Sequence, residues 1–402
     1  MTDIALEPLP NPGDEGTCPF DLPSALAKWR EEEPVRRISV ESGGSAWLVT
    51  RHEDVRTALG DHRLSADRNR PGFPHLRADE PPMPPGTFAQ YDPPEHTRIR
   101  RMLTKAFMPK NVEKLKSLIR ETVDELLDAM ERQPQPADLY RDFALRLPTL
   151  TMCGLLGVPY DDRAVFQENT QAILNLGLPG AEVTAAYERM LAYIGELLDA
   201  KGLAPQDDLV SELAVERVAT GELTKVEAIG VIALLLISGH DTTATSISLG
   251  TIALLREPDR LRRLLAEPDT VPGAVEELLR YLPGLHTGVR RIATADLEIG
   301  GVTIRAGEGV IMALNAANRD PRVHDRADRL DFDRDRVGRS SLAWGHGIHK
   351  CLGQSLARAQ LQIALPALFE RFPGLRLAVP FEEIDFRDKA LFFSVHKLPV
   401  AW

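Results

Sequence analysis

A mainly α fold with a smaller β-rich region is what this 402-residue chain predicts. Segments with apolar residues at helical spacing fill the middle, from about residue 94 to 282. Strand signals gather toward the two ends. No repeat, low-complexity tract or Gly/Ser linker divides the chain, which favours one large unit over a string of domains. The expected organisation is a loose lead-in over residues 1–20 and a single domain over residues 21–402.

In order, residues 35–40 and 46–50 read as strands joined by Ser42-Gly43-Gly44-Ser45, a hairpin signal. Residues 52–59 read as a short helix. Residues 68–94 are proline-rich with Phe73 and Met83 as larger apolar side chains, and a loop of that length inside a compact protein is usually functional or mobile. Helices are expected over 94–107, 112–132, 144–156, 162–174, 182–200, 224–255, 258–265 and 272–282. Residues 289–313 are strand-rich around the turns Gly300-Gly301 and Ala306-Gly307-Glu308. A last helix, 354–372, stops at Pro373-Gly374, and its Pro366 should bend it or leave one amide unpaired. Residues 375–379 and 391–396 are expected to pair as final strands.

Composition narrows the function. Hydrophobic residues make up 43% and charged residues 27%, ordinary for a protein with a substantial core. The net charge of −11 argues against a general nucleic-acid binder. Cys18, Cys153 and Cys351 are far apart and odd in number, which suggests no disulfide framework and a reducing, cytoplasmic setting. The acidic, proline-containing start lacks the basic and apolar regions of a signal peptide. The longest strongly apolar run, Val231 to Ile237, is too short to span a bilayer. The expectation is a soluble, unanchored monomer.

The chemistry concentrates in Trp344-Gly345-His346-Gly347-Ile348-His349-Lys350-Cys351-Leu352-Gly353. Glycines let the backbone approach a flat ligand. Nearby cations and helix N-terminal amides favour a thiolate. A cradled thiolate is what an axial ligand to haem iron requires. A zinc site from His346, His349 and Cys351 is the competing reading, but no second ligand pair has metal spacing. Three further groups stand out. Ser238-Gly239-His240-Asp241-Thr242-Thr243 interrupts an apolar helix, where polar residues are costly unless satisfied or used. Glu277 and Arg280 share a helix face, as do His96 and Arg100. Read alone, Asp241-Thr242 would be a satisfied helix-interior pair, and His96 with Arg100 a solvated face. Cys153 reads as a small core residue.

Together these groups resemble the cytochrome P450 family, in its soluble bacterial, haem-thiolate monooxygenase form. The family's signature Phe-x-x-Gly-x-His/Arg-x-Cys-x-Gly is matched by Gly347, His349, Cys351 and Gly353. Its Glu-x-x-Arg pair is matched by Glu277 and Arg280, and its acid-Thr pair by Asp241-Thr242. Asp92-Pro93-Pro94-Glu95-His96-Thr97-Arg98 and Asn318-Arg319-Asp320-Pro321 are also typical of the bacterial branch. The motifs fall in the family's order from about residue 29 to 402. The resemblance implies haem b held between the long central helix and the cysteine-loop helix. Cys351 would be the axial ligand, and His96, Arg100, Arg291 and His349 would pair with the propionates. Gly239, Trp344, Gly345, Gly347 and Gly353 would lie against the haem. Thr242 would hydrogen-bond bound dioxygen or its water, Asp241 would relay protons, and Glu277 with Arg280 would be structural.

The implied activity is insertion of one oxygen atom of O2 into a C–H bond or an alkene of a bulky, mainly apolar small molecule. Natural-product biosynthesis or xenobiotic oxidation is the expected context. Electrons would come from NAD(P)H through a separate ferredoxin reductase and ferredoxin, since three cysteines cannot also hold a four-cysteine cluster beside the haem. Segments 70–89, 166–187, 234–238, 285–289 and 390–393 would face the substrate, with Leu235, Ser238, Leu285, Val289, Leu391 and Phe392 as pocket residues and His286 as an odd polar neighbour. Arg98, Arg101 and Lys105 would form a basic patch for an acidic ferredoxin. One departure is Trp344 in the signature's Phe position, whose indole N–H could donate toward the sulfur. The other is Ser238, where alanine or glycine is commoner, which would put a hydroxyl near the oxygen site. The rival readings are an oxidase or peroxygenase on the same fold, and a catalytically silent haem-binding scaffold.

Overall fold

Thr224 opens the longest helix with a reciprocal cap. Its hydroxyl accepts from the Glu227 N–H at 3.2 Å, and the Glu227 carboxylate accepts from the Thr224 N–H at 2.9 Å. The computed structural model describes residues 6–16, 18–334 and 337–402. In chain order, α1 (Ser24–Glu32) precedes β1 (Val35–Ser39), β2 (Ser45–Val49), α2 (His52–Gly60) and β3 (Leu64–Ser65). After a long loop come α3 (Glu95–Thr104), α4 (Pro109–Glu131), β4 (Ala137–Asp138), α5 (Arg146–Leu156), α6 (Arg163–Leu174), α7 (Gly180–Leu203), α8 (Leu209–Glu212), α9 (Lys225–Arg256), α10 (Pro258–Ala266) and α11 (Val271–Tyr281). Then follow β5 (Val289–Ala293), β6 (Leu297–Ile299), β7 (Val302–Ile304), β8 (Gly309–Met312), α12 (Leu314–Asn318), α13 (Val337–Ser340) and α14 (Gln354–Arg371). Four short strands close the chain: β9 (Arg376–Leu377), β10 (Phe386–Arg387), β11 (Ser394–Val395) and β12 (Pro399–Ala401).

Helix α9 runs through the body and packs against α5, α7, α10, α11 and α14. Val231, Ile232, Leu236, Ile247, Leu249 and Ile252 on it are fully buried, each worth roughly 1.5–3 kcal/mol of apolar transfer. That burial offsets the weak helix propensity of its β-branched residues. By length and composition α9 could cross a membrane, but 67% of its most apolar window is buried within the body, as suits a core helix. The main sheet has the order β1-β2-β8-β5-β3, with β2 and β8 parallel and the other pairs antiparallel. It covers one flank and carries Arg291 on β5 opposite Val310.

The long helices and the first hairpin follow the sequence pattern within a few residues. The expected terminal strand pair does not form. β9 pairs with β12, which also pairs β4, while β10 pairs with β11. Two-residue strands carry no period from which a partner could be read. Pro366 lies inside α14, which runs through it. The stretch Tyr140–Ala144 before α5 is a π-helical turn. The described part of the lead-in rests on the body: Phe20 is buried with its ring edge against Phe381, and Arg319 donates to the Phe20 carbonyl at 2.8 Å.

Candidate active site around Cys351

The cysteine loop is shaped by backbone that only glycine adopts easily. Gly345 and Gly347 have φ of 71° and 72°, and a Cβ on Gly347 would lie 2.7 Å from the Leu59 carbonyl oxygen. The turn Gly347–His349 then delivers Cys351, whose N–H donates to the Trp344 carbonyl at 2.8 Å, directly ahead of α14. Burial pushes the Cys351 thiol up, against the opposing pull of the Gly353 N–H, Arg100, Arg358 and the Gln354 N–H. The loop's cations and amides therefore do not outweigh desolvation, contrary to the sequence expectation. A Lewis acid at the sulfur would supply the rest.

Behind the loop, two ion clusters lock the backbone. Glu277 and Arg280 are fully buried and bonded at 2.7 and 2.8 Å. Arg280 also donates to the carbonyls of Asn318, Ala327 and Arg329, and Arg334 donates to both Glu277 oxygens. Asn318 in turn accepts from the Leu342 N–H at 2.7 Å, which ties the cluster to the start of the loop. The second cluster corrects the Trp344 expectation. Its indole N–H donates to Glu276 at 3.1 Å, not to the sulfur. Arg358 also bonds Glu276, and its guanidinium lies 4.8 Å from the Trp344 ring centroid. Arg334, Glu276 and Arg358 were missed because no spacing rule links them to their partners.

Between α9 and the loop lies a cavity of about 350 Å³, lined by Leu235, Gly239, Thr242, Val289, Cys351 and Gly353, among others. Arg100, Arg291, His349 and Trp344 also line it. His96 stands behind His349, ring centroids 4.4 Å apart, and both His96 ring nitrogens are buried without a partner. Burial first, then the neighbouring cations, hold His349 down at about 3; burial brings Arg291 down to about 10. Among the described residues none of these four groups forms an ion pair; the Arg100 guanidinium donates to the Lys350 carbonyl at 2.5 Å and that of Arg291 to the Arg290 carbonyl at 2.7 Å. Two partly buried guanidiniums without an ion-pair partner among the described residues, flanked by two imidazoles beside a cavity with a cysteine sulfur on one wall, fit an iron porphyrin with two carboxylates. Among the described residues no group of three His, Cys, Asp or Glu side chains could hold a bare metal ion, which removes the zinc reading there.

The middle of α9 forms the opposite wall. Gly239 lets Met152 approach, since a Cβ there would meet its sulfur at 2.7 Å. The Ser238 hydroxyl donates to the Leu234 carbonyl at 2.6 Å, and the Thr242 hydroxyl to the Ser238 carbonyl at 2.9 Å. Thr242 faces the cavity; Asp241 does not. Asp241 is 1% exposed, with both oxygens bonded by Arg387 at 2.8 and 2.9 Å and the Tyr140 hydroxyl at 3.4 Å. Consecutive helix residues are about 100° apart, so the motif's two members are not brought together. Arg387 and Tyr140 went unrecognised in the sequence.

Two adjoining spaces, of about 380 and 240 Å³, share Ser238 and Leu285. Leu391 lines the larger and Phe392 both, so all six expected pocket residues border the connected cavity. His286 does not line it. It is 1% exposed against the edge of Phe393, and burial holds it down at about 4. The proline-rich loop over the larger space is latched to the 174–187 region. Gly180 N–H donates to Asp79 at 2.6 Å, Arg77 to the Leu178 carbonyl, and the Tyr187 hydroxyl to the Met83 sulfur at 3.5 Å. Glu80 pairs with Arg68 and, at 2.8 Å, with His75. The basic patch is smaller than expected, because Arg98 is taken by Glu227 and the Glu222 carbonyl, while Arg101 and Lys105 stay exposed.

The family model for Cytochrome P450 matches residues 196–391. The chain is 49% identical to Cytochrome P450-SU2 of Streptomyces griseolus, covering 96% of this chain and 94% of that protein. It is 45% identical to pentalenic acid synthase of Streptomyces avermitilis, covering 96% of each. Among solved structures, that of GfsF superposes with a TM-score of 0.91 at 42% identity over 98% of this chain and 100% of that one. CYP105P1 in complex with filipin I superposes with a TM-score of 0.92 at 39% identity, over 98% and 99%.

Proposed function

The chain belongs to the cytochrome P450 family, and on that premise we propose that it hydroxylates or epoxidises a bulky, mainly apolar natural product. It is an oxidoreductase that incorporates oxygen from O2, and family membership implies haem iron and a supply of reducing equivalents. The observation that carries the reading is the cavity with Cys351 on one wall, Thr242 on the other and unpaired Arg100, Arg291 and His349 at its edge. Haem b, when bound, supplies dioxygen activation.

The protein's own part follows from its residues. Cys351 would ligate the iron through its sulfur. Arg100, Arg291, His96 and His349 would hold the haem carboxylates, which would supply the two guanidiniums with the counter-charge they lack. The Thr242 hydroxyl, now spent on the Ser238 carbonyl, would hold a proton toward the cavity. Asp241 delivers protons when its pair with Arg387 opens, which couples delivery to a movement of the β10 region. Leu235, Leu285, Val289, Leu391 and Phe392 exclude water around the substrate. Relatives named pentalenic acid synthase and vitamin D3 dihydroxylase support a small-molecule substrate of the natural-product kind.

Electrons reach the haem from NAD(P)H through a ferredoxin reductase and a ferredoxin in the cytoplasm, the enzyme acting as a monomer. Exposed Arg101 and Lys105, with Ile348 of the cysteine loop 49% exposed, offer an acidic ferredoxin a basic and partly apolar surface. Charge reversal at Arg101 and Lys105 should slow ferredoxin-driven reduction, most at low salt. The proposed reaction is tested by screening natural products for a spin-state change, then following isotope-labelled dioxygen into product. Label in the product supports the reading. Cofactor oxidation with an unlabelled coupled or desaturated product favours the oxidase alternative.

A further inference from the structure

We propose that Glu276 and Arg358 are positioning residues that act through Trp344 to keep the Cys351 sulfur electron-rich, and so hold the reduction potential of the bound iron low. This rests on the haem-thiolate reading above. Trp344 and Cys351 are joined across the loop, the cysteine N–H donating to the tryptophan carbonyl at 2.8 Å, and both side chains line one cavity. An indole N–H directed at a ligating sulfur is a donor that would draw electron density from it and raise the potential. The structure gives that N–H to Glu276 instead, at 3.1 Å.

Glu276 is itself held in place. It is 8% exposed, and Arg358 bonds both of its oxygens. Arg358 packs over the Trp344 ring and donates to Gln354 Oε1 at 3.0 Å, at the first residue of the helix that follows Cys351. A guanidinium in that position would by itself stabilise negative charge on the sulfur at the expense of donation to the metal. The Glu276 carboxylate thus does two things. It occupies the indole N–H, and it neutralises Arg358, one of the two cations that act on the sulfur.

The two sides of the pair make opposite predictions. Glu276→Gln retains an acceptor for the indole but leaves Arg358 uncompensated, so the potential rises. Glu276→Leu also frees the indole N–H, so the potential rises further, and the extra increment disappears in a Trp344→Phe background. Arg358→Met removes the cation and leaves the carboxylate, so the potential falls. Trp344→Phe alone leaves the potential where it was, because its N–H is already occupied.

The experiment is a spectroelectrochemical titration of each haem-loaded variant, with the carbon monoxide band of each reduced form recorded alongside. In the haem-free protein, the Trp344 indole N–H should exchange slowly and do so faster in Glu276→Leu. Shifts of opposite sign for Glu276→Gln and Arg358→Met are the expected result, and a purely packing role would not produce them. Potentials equal to wild type in both variants, with the thiolate band intact, would overturn the proposal. Failure of the haem-thiolate reading would show separately, as a wild-type protein without that band. Should Glu276→Leu not fold, Glu276→Ala takes its place for the indole increment and its loss in the Trp344→Phe background, while the Glu276→Gln and Arg358→Met pair decides the charge balance.

Discussion

The two walls of the cavity are built on different principles. Behind the cysteine loop, the Glu277–Arg280 pair is buried and fully engaged: both side chains are 0% exposed, and three backbone carbonyls complete the arginine. On the substrate side, the groups that join the proline-rich loop to the 174–187 region are partly exposed. Asp79 is 58% exposed and meets its partners through one ion pair and one amide. A buried, satisfied network costs several kcal/mol to break, whereas exposed contacts break and re-form cheaply. On the proposed function, the cysteine wall would therefore fix a ligand atom, and the other wall would open to admit a substrate. The comparison predicts that equivalent single changes will have very unequal effects.

The largest effect should come from Arg280→Met. It leaves the buried Glu277 carboxylate with Arg334 and the Asp331 N–H as partners and takes a donor from three carbonyls, and should cost roughly 3–5 kcal/mol, with haem content falling in proportion. Chemical denaturation of the variant checks this; stability near wild type would contradict the comparison. Next, Asp241→Asn should slow turnover about tenfold to a hundredfold and enlarge the solvent deuterium isotope effect, with haem content preserved. Unchanged isotope sensitivity would remove Asp241 from proton delivery.

Acidification should weaken both walls. Burial holds His286, on the substrate side, at about 4 and His324, beside Arg280, at about 3, from a usual 6.5. The unfolded chain takes up these protons below about 6.5 and the native protein does not, so this contribution is complete above 6.5 and lost as pH falls toward 4. His286→Phe should flatten that part of the Tm profile, and an unchanged slope between pH 7 and 5 would count against it. The smallest effect should come from Asp79→Ala. It removes the bond from the Gly180 N–H and the Arg77 pair, and should leave Tm unchanged while raising the rates of ligand binding and release.

Legibility divides along the same line as rigidity, but unevenly. The cysteine loop, the Glu277–Arg280 face and the long helices could be read because their residues are adjacent or at helical spacing. Arg334, Glu276, Arg358 and Arg387 could not, because each meets its partner across a gap no local pattern bridges. Arg387 lies on a two-residue strand and bonds Asp241 from 146 positions away. That Asp241 and Thr242 point to different sides was available from helical geometry alone. The role of Trp344 was not, because its acceptor Glu276 lies 68 positions away and only the fold brings the two together. The substrate wall was foreseen as a set of segments, and its polar latch was not.

The most direct test of the account is the absorbance difference spectrum of the dithionite-reduced, haem-loaded protein with and without carbon monoxide. Cys351 ligation as a thiolate predicts a strongly red-shifted Soret band. A band typical of histidine- or thiol-ligated haem would contradict it, because the cysteine wall would then not hold the anion on which the rest of the account depends.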